Sequence, residues 1–207
     1  MPIRGVIFDF GGVISNMRWD VARKLEREHG LERYAIARSL FASDEWREIQ
    51  VGKGDLEAWR AAAHRRLEES AGKSLPPLHV QWRTSVELIK ENVDLIRALR
   101  PPYLIAILSN ADLTLEDRIR NGLGIDKLFD TIISSAVVGM AKPDHAIYRL
   151  AAERLSLPTE ECVFIDDTEG NVEAARAVGM AGVHYREHEG DDLKAQLAEL
   201  GVQPSRA

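Results

Sequence analysis

The chain has 207 residues, which is enough for one hydrophobic core and a modest insertion. Hydrophobic residues make up 45% and charged residues 29%, the mix of an ordinary globular protein, and the net charge of −6 argues against nucleic-acid binding. Cys162 is the only cysteine, which excludes an internal disulfide. No apolar stretch approaches the ~20 residues that a membrane span needs, so we expect a cytoplasmic protein with no membrane partner.

Five short apolar runs predict the strands of a buried sheet. They comprise residues 5–10, 103–108, 131–134, 162–165 and 182–185. Runs without polar alternation are typical of strands covered on both faces, and helical patterns between most of them favour a parallel arrangement. The predicted fold class is therefore α/β, with a doubly wound parallel sheet.

Apolar spacing predicts the helices between these strands. Residues 82, 86, 89, 93 and 96 are apolar and advance by three or four, which predicts one face of a single long helix. Similar spacing predicts a helix after Pro143 and another that ends before Gly179.

The first two predicted strands are separated by far more chain than one crossover helix requires. Residues 15–74 contain four helical patterns with breaks at Gly30, residues 52–54 and residues 76–77. An inserted helical cap explains this length better than a structureless loop. We therefore predict a core formed by residues 1–14 and 75–207, with a cap formed by residues 15–74.

Polar residues follow four of the predicted strands. In a parallel sheet these carboxyl ends meet at one edge, where ligands bind. Each residue alone has a structural explanation, such as a turn, a helix cap or a solvated charge. Four such groups in succession favour a functional site, and the candidates are Asp9, Ser109, Asn110, Lys142, Asp166 and Asp167.

Four segments resemble the ordered motifs of the haloacid dehalogenase superfamily. They are residues 6–13 (VIFDFGGV), 108–110 (LSN), 142–143 (KP) and 164–168 (FIDDT). Each is weak alone, but the ordered set spans nearly the whole chain. The insert resembles the helical cap of the subfamily that includes phosphoglycolate phosphatases, sugar-phosphate phosphatases and the phosphatase domain of soluble epoxide hydrolase.

This resemblance implies a phosphatase that acts on a small phosphorylated metabolite. Asp9 would be the nucleophile and would form an aspartyl-phosphate. Ser109 and Asn110 would donate hydrogen bonds to the phosphoryl oxygens, and Lys142 would neutralise both the phosphate and the nucleophile. Nothing in the sequence selects one substrate or an oligomeric state.

The resemblance also implies a Mg²⁺ site. Asp9, Asp167 and the backbone carbonyl of Gly11 would bind the cation, because Mg²⁺ prefers oxygen ligands. Asp166 is a further candidate, which would either bind the metal directly or orient its water shell.

Gly11 departs from the usual phosphatase pattern. Phosphatases of this superfamily usually carry at this position a second Asp, which is a general acid and base worth about 10²–10⁴-fold in rate. Two alternatives therefore stay open: a haloacid dehalogenase, which also lacks this Asp, and a catalytically weakened regulatory or binding protein. A dehalogenase typically has a Ser-Ser-Asn-like fourth motif, whereas this chain has Asp166 and Asp167.

Overall fold

The computed structural model describes residues 1–204. The strands are β1 (Gly5–Phe8), β2 (Ser15–Asn16), β3 (Glu87–Leu88), β4 (Leu104–Ser109), β5 (Thr131–Ser134), β6 (Cys162–Asp166) and β7 (Ala181–His184). The helices are α1 (Trp19–His29), α2 (Ala35–Phe41), α3 (Asp44–Ile49), α4 (Leu56–Ala71), α5 (Leu78–Thr84), α6 (Lys90–Ala98), α7 (Leu115–Asp117), α8 (Ser135–Val138), α9 (His145–Arg154), α10 (Glu169–Ala177) and α11 (Leu193–Glu199). A π-helical segment, Arg118–Leu123, directly follows α7.

The central sheet confirms the predicted fold class. Its strands run in the order β5-β4-β1-β6-β7, and every neighbouring pair is parallel. The chain leaves β1 toward β4 on one side, and it leaves β6 toward β7 on the other. The strand order therefore reverses between β1 and β6, where a doubly wound sheet opens its binding crevice.

The sheet is buried on both faces, which explains why its strands lack polar alternation. Val6 and Phe8 of β1 join one apolar cluster with residues of α6 and α11. Ile7, which points to the opposite face, joins a second cluster with residues of α9 and α10. Within residues 1–204, the helices all fall short of the length and apolar character that a membrane span needs.

The predicted single long helix over residues 82–96 is wrong. The chain instead forms α5, then the extended strand β3, then α6. The interruption arises because β3 pairs antiparallel with β2, with Ser15 opposite Leu88. Trp82 packs in the helical cap cluster, whereas Val93 and Ile96 pack under the sheet, so the periodic residues serve two separate cores.

Helices α1 to α4 lie in the segment predicted as the cap, and their apolar side chains form a third cluster. Trp59 is fully buried in it, with Trp46 stacked at a ring-centroid distance of 5.1 Å. The cluster also contains Leu75, Leu78 and Trp82, which lie beyond the predicted boundary at residue 74. We therefore propose that the cap extends to about residue 86, with β2 and β3 as its two links to the core.

The cap also touches the core through the loop between α3 and α4. Gly52 has a φ of 76°, and a Cβ at this position would collide with the carbonyl oxygen of Ala136 in α8. Glycine is needed here both for the left-handed backbone and for the close approach. The contact brings this cap loop against the segment that leads to Lys142.

Candidate active site

Residues from three strand ends and one loop converge at the reversal of strand order. Asp9 follows β1, and its main-chain N–H donates to Ile165 O of β6 at 2.8 Å. Ser109 ends β4 and Asp166 ends β6. Lys142 reaches the same place from the loop between α8 and α9. Asp9, Ser109, Lys142 and Asp166 are all buried.

The ammonium group of Lys142 lies between two carboxylates. Its Nζ is 2.9 Å from Asp9 Oδ1 and 2.6 Å from Asp166 Oδ2. Burial by itself would lower the pKa of Lys142, but Asp9 and Asp166 raise it above its ordinary value. Lys142 is therefore a permanent cation beside Asp9.

Two hydrogen bonds fix the main chain of Lys142 to Asn110. Asn110 Nδ2 donates to Lys142 O at 2.9 Å, and Lys142 N donates to Asn110 Oδ1 at 2.8 Å. The side chain of Asn110 thus positions the lysine loop, a role that the sequence did not indicate. A contact between Asn110 and a phosphoryl group remains a prediction.

The side chain of Asp166 is surrounded by protein donors. Oδ1 accepts a hydrogen bond from the main-chain N–H of Thr168 at 2.8 Å, and Asn171 Nδ2 lies 3.1 Å from both oxygens. Because Lys142 occupies Oδ2 as well, Asp166 is held in one orientation. These contacts favour the predicted orienting role over direct metal binding.

Asp9, Asp166 and Asp167 form a carboxylate cluster that could hold a metal ion. Their ligand oxygens all lie within 4.8 Å of one another. Burial, Asp166 and Asp167 raise the pKa of Asp9 to about 7, although Lys142 opposes the shift. Burial and Asp166 raise the pKa of Asp167 to about 6. A bound cation would relieve this crowding of negative charge.

The loop after Asp9 approaches Asp167 closely. Gly12 has a φ of 80°, and a Cβ there would overlap the carboxylate of Asp167. At Gly11 the nearest atom to a Cβ would be Met17 Sδ at 3.3 Å, the end of a flexible side chain. Gly12 is therefore sterically required, whereas a Cβ at Gly11 fits if the side chain of Met17 shifts by a few tenths of an ångström.

A cavity of about 320 Å³ lies between the cap and this edge of the sheet. Gly11, Ser109 and Asn110 contribute to its core wall. Its apolar lining comes from both the cap and the core and includes Phe41, Trp46, Trp82, Leu88 and Leu115. Such a mixture of apolar walls and a few polar groups is typical of a small-molecule site.

A family model described as haloacid dehalogenase-like hydrolase matches residues 3–179. The chain belongs to the haloacid dehalogenase-like hydrolases. The match includes all the candidate residues, from Asp9 to Asp167.

Named relatives of this hydrolase differ in length and in the activity that their names state. A drimenol cyclase of Aspergillus calidoustus is 31% identical over 98% of the chain, but the chain spans only 37% of that protein. A phosphatase of Mycobacterium tuberculosis is 27% identical and covers 98% of this chain and 97% of its own length. A family enzyme from Bacteroides thetaiotaomicron, solved with magnesium and inorganic phosphate, has the same fold. Its TM-score is 0.70 at 20% identity, with 94% of this chain and 98% of that one covered.

Several residues of the hydrolase's site were not identified from the sequence. Asn171 holds Asp166, and His184 Nε2 lies 3.1 Å from the carbonyl oxygen of Asp167. Arg83 and Arg118 line the cavity. His184 ends β7, whereas Asn171, Arg83 and Arg118 lie outside the strand ends, and only their position in the fold connects these three with the site.

Proposed function

We propose that this hydrolase is a phosphatase of small phosphomonoesters, with Mg²⁺ as its cation and Asp9 as its nucleophile. The observation that carries the proposal is the cluster of Asp9, Asp166 and Asp167 around one lysine. Three carboxylates against one ammonium leave an excess of negative charge, which suits a divalent cation. The relatives named as phosphatases support the same assignment.

Asp9 and Asp167, with the carbonyl of Gly11, are the groups that would hold the cation. Apart from the ion pair with Lys142, no donor within residues 1–204 reaches the buried Asp9 Oδ1. The oxygens of Asp166 are already engaged by Lys142, Thr168 and Asn171. When bound, Mg²⁺ would offset the charge of the phosphoryl group.

The chemistry would proceed in two displacements. An oxygen of Asp9 attacks phosphorus, the new Oδ–P bond forms, and the bond between phosphorus and the leaving oxygen breaks. Water then attacks phosphorus, which releases inorganic phosphate and restores the Asp9 carboxylate. Lys142 would hold positive charge beside Asp9 in both steps, and Ser109 would donate to a phosphoryl oxygen.

Gly11 leaves the leaving group without the usual general acid. The leaving oxygen would therefore depart with little protonation and take up a proton from water only after the bond has broken, so a good leaving group would react faster than a poor one. We expect aryl phosphates, acyl phosphates and sugar 1-phosphates to be better substrates than simple alkyl phosphates.

The carboxylate cluster favours this function over the other two. A dehalogenase forms an ester on the same nucleophile without a metal, so it has no use for Asp167 beside Asp9 and Asp166. A catalytically weakened binding protein would have no need to hold Lys142 against Asp9 at 2.9 Å.

Two assays on the purified protein distinguish these functions. Phosphate release from an aryl phosphate should require Mg²⁺ and stop in excess EDTA. Halide release from 2-haloacids should be absent in both conditions. Halide release that persists in EDTA would establish the dehalogenase instead, and no release of either product would favour the binding protein.

A further inference from the structure

Two arginines meet in the cavity between the cap and the core. Arg83 belongs to α5 of the cap, and Arg118 begins the π-helical segment of the core. Both line the cavity that also contains Gly11, Ser109 and Asn110. Burial and the charge of Arg118 lower the pKa of Arg83, although Asp112 opposes this shift. Two guanidinium groups therefore share one partly desolvated space.

Asp112 balances only one of these charges, and the other carboxylate that lines the cavity, Glu87, pairs with Arg18 at 3.6 Å. Asp112 Oδ2 lies 3.8 Å from a terminal nitrogen of Arg83, and Oδ1 accepts hydrogen bonds from Thr114. Burial would raise the pKa of Asp112, but the bonds from Thr114 and the charges of Arg118 and Arg83 hold it below its usual range. Asp112 is therefore ionised, and the group of three carries one net positive charge.

Arg118 is the member of this group that lacks a partner. Its Nε is buried without a hydrogen-bond acceptor, and its guanidinium forms no ion pair within 4.0 Å among residues 1–204. A buried N–H donor without an acceptor destabilises the fold. π-Helical segments are rare and are found frequently at functional sites. The unpaired charge of Arg118 in the cavity wall and its backbone setting both favour an anionic ligand in this cavity.

We propose that Arg83 and Arg118 form a second anion subsite, which binds a carboxylate or phosphate group carried by the substrate in addition to its reacting phosphoryl group. This proposal rests on the proposed phosphatase function only in assigning a reacting phosphoryl group to the other end of the substrate. The aromatic wall formed by Phe41, Trp46 and Trp82 then contacts an apolar segment between the two charged ends. Because the two arginines come from different domains, the bound anion also links the cap to the core.

The test measures binding, so it does not depend on turnover. Alkylphosphonates with chains of about two to eight carbons resist hydrolysis and cover the length of such a cavity. Each chain length is prepared with a methyl, a carboxylate or a phosphonate at its other end. Calorimetric titration of the Mg²⁺-loaded protein should show, at one chain length, about tenfold tighter binding of a charged end than of the methyl end. The carboxylate and phosphonate arms show which anion fits the subsite better.

Variants locate the effect. Arg118→Met and Arg83→Met should each remove the advantage of the charged end while binding the methyl-ended compound within about twofold of the natural protein. Arg118→Lys should keep part of the advantage because it retains the charge. Arg120→Met is the matched control, since Arg120 lies in the same π-helical segment but is exposed and pairs only at 4.0 Å with Asp126.

The possible outcomes separate the two proposals. The subsite is wrong if no chain length favours a charged end, if no phosphonate binds, or if the advantage survives in both Met variants. A protein that binds charged-end phosphonates but turns over no phosphomonoester keeps the subsite and loses the phosphatase. A protein that turns over phosphomonoesters but binds charged-end and methyl-ended phosphonates equally keeps the phosphatase and loses the subsite.

Discussion

Asn110 and Lys142 are joined by a reciprocal pair of hydrogen bonds, 2.9 Å from Asn110 Nδ2 to Lys142 O and 2.8 Å from Lys142 N to Asn110 Oδ1. The segment between β4 and α7 is fixed to the start of α8 as well, since Ala111 N donates to Ser135 Oγ at 3.0 Å. These bonds place the ammonium group of Lys142 against Asp9. If Lys142 has the catalytic role that we propose, its positioning is worth a large factor in rate, because a displacement of about 1 Å can cost about 10²-fold.

Asn110→Ala should therefore reduce kcat/KM for an aryl phosphate about 10–100-fold with little change in fold. Asn121→Ala is a suitable control, since the side chain of Asn121 is exposed and donates a hydrogen bond only to Asp117, at the end of the preceding helix α7. Steady-state kinetics on both variants, with circular dichroism to verify folding, make the comparison. Unchanged kcat/KM in folded Asn110→Ala would remove the positioning role.

The metal requirement should depend on Asp167. Asp167→Asn removes one carboxylate from the cluster, and we expect the Mg²⁺ concentration for half-maximal activity to rise about tenfold or more. Glu173→Gln, an exposed change in the helix that follows, should leave it unaltered. The measurement is initial rate against free Mg²⁺ for all three proteins. A requirement that stays the same in Asp167→Asn would exclude Asp167 as a ligand.

The stability of the metal-free protein should fall as pH rises. The folded-state pKa of Asp9 is raised from 3.8 to about 7 and that of Asp167 to about 6. Groups with raised folded-state pKa values stabilise the protein at low pH, and this contribution is lost as pH increases through about 6 to 7. Asp167→Asn should therefore gain Tm relative to the natural protein as pH rises from about 4 to about 6 in EDTA, and it should keep that gain at higher pH. If the difference in Tm between Asp167→Asn and the natural protein does not change with pH, ionisation of Asp167 does not destabilise the fold.

The missing acid at Gly11 should appear in the dependence of rate on the leaving group. We expect log(kcat/KM) to fall steeply as the pKa of the leaving group rises, because its oxygen departs with little protonation. Gly11→Asp should flatten this slope, since Gly11 does not have a positive φ and its Cβ would meet only Met17 Sδ at 3.3 Å. Gly11→Asn offers the same shape without an acid and should keep the steep slope. A shallow slope in the natural protein would mean that water or another side chain already supplies the proton.

The sheet edge could be predicted from the sequence because one rule governs it. Parallel strands end at one edge, so Asp9, Ser109 and Asp166 had to lie near each other once the apolar runs were identified as strands. The break in the predicted long helix could not be foreseen in this way. The apolar spacing is continuous from Trp82 to Ile96, and only the pairing of β3 with β2 divides the predicted helix.

The cavity side chains required the fold itself. Asn110 binds the loop that carries Lys142 because the fold brings the end of β4 beside that loop, and spacing along the chain does not encode this contact. Arg83 and Arg118 are 35 positions apart in the numbering, Arg83 in α5 and Arg118 at the start of the π-helical segment. Neither arginine belongs to a motif, and each has an ordinary explanation as a solvated charge when considered alone.

The aspartyl-phosphate on Asp9 is the central claim, and covalent trapping tests it most directly. The Mg²⁺-loaded protein is mixed with an aryl phosphate, quenched in acid within one turnover and reduced with borohydride, which converts an aspartyl-phosphate into homoserine. Peptide mass spectrometry should then find homoserine at position 9, and Asp9→Asn should show neither the product nor turnover. Steady turnover with no modification at Asp9, or full turnover by folded Asp9→Asn, would contradict the account.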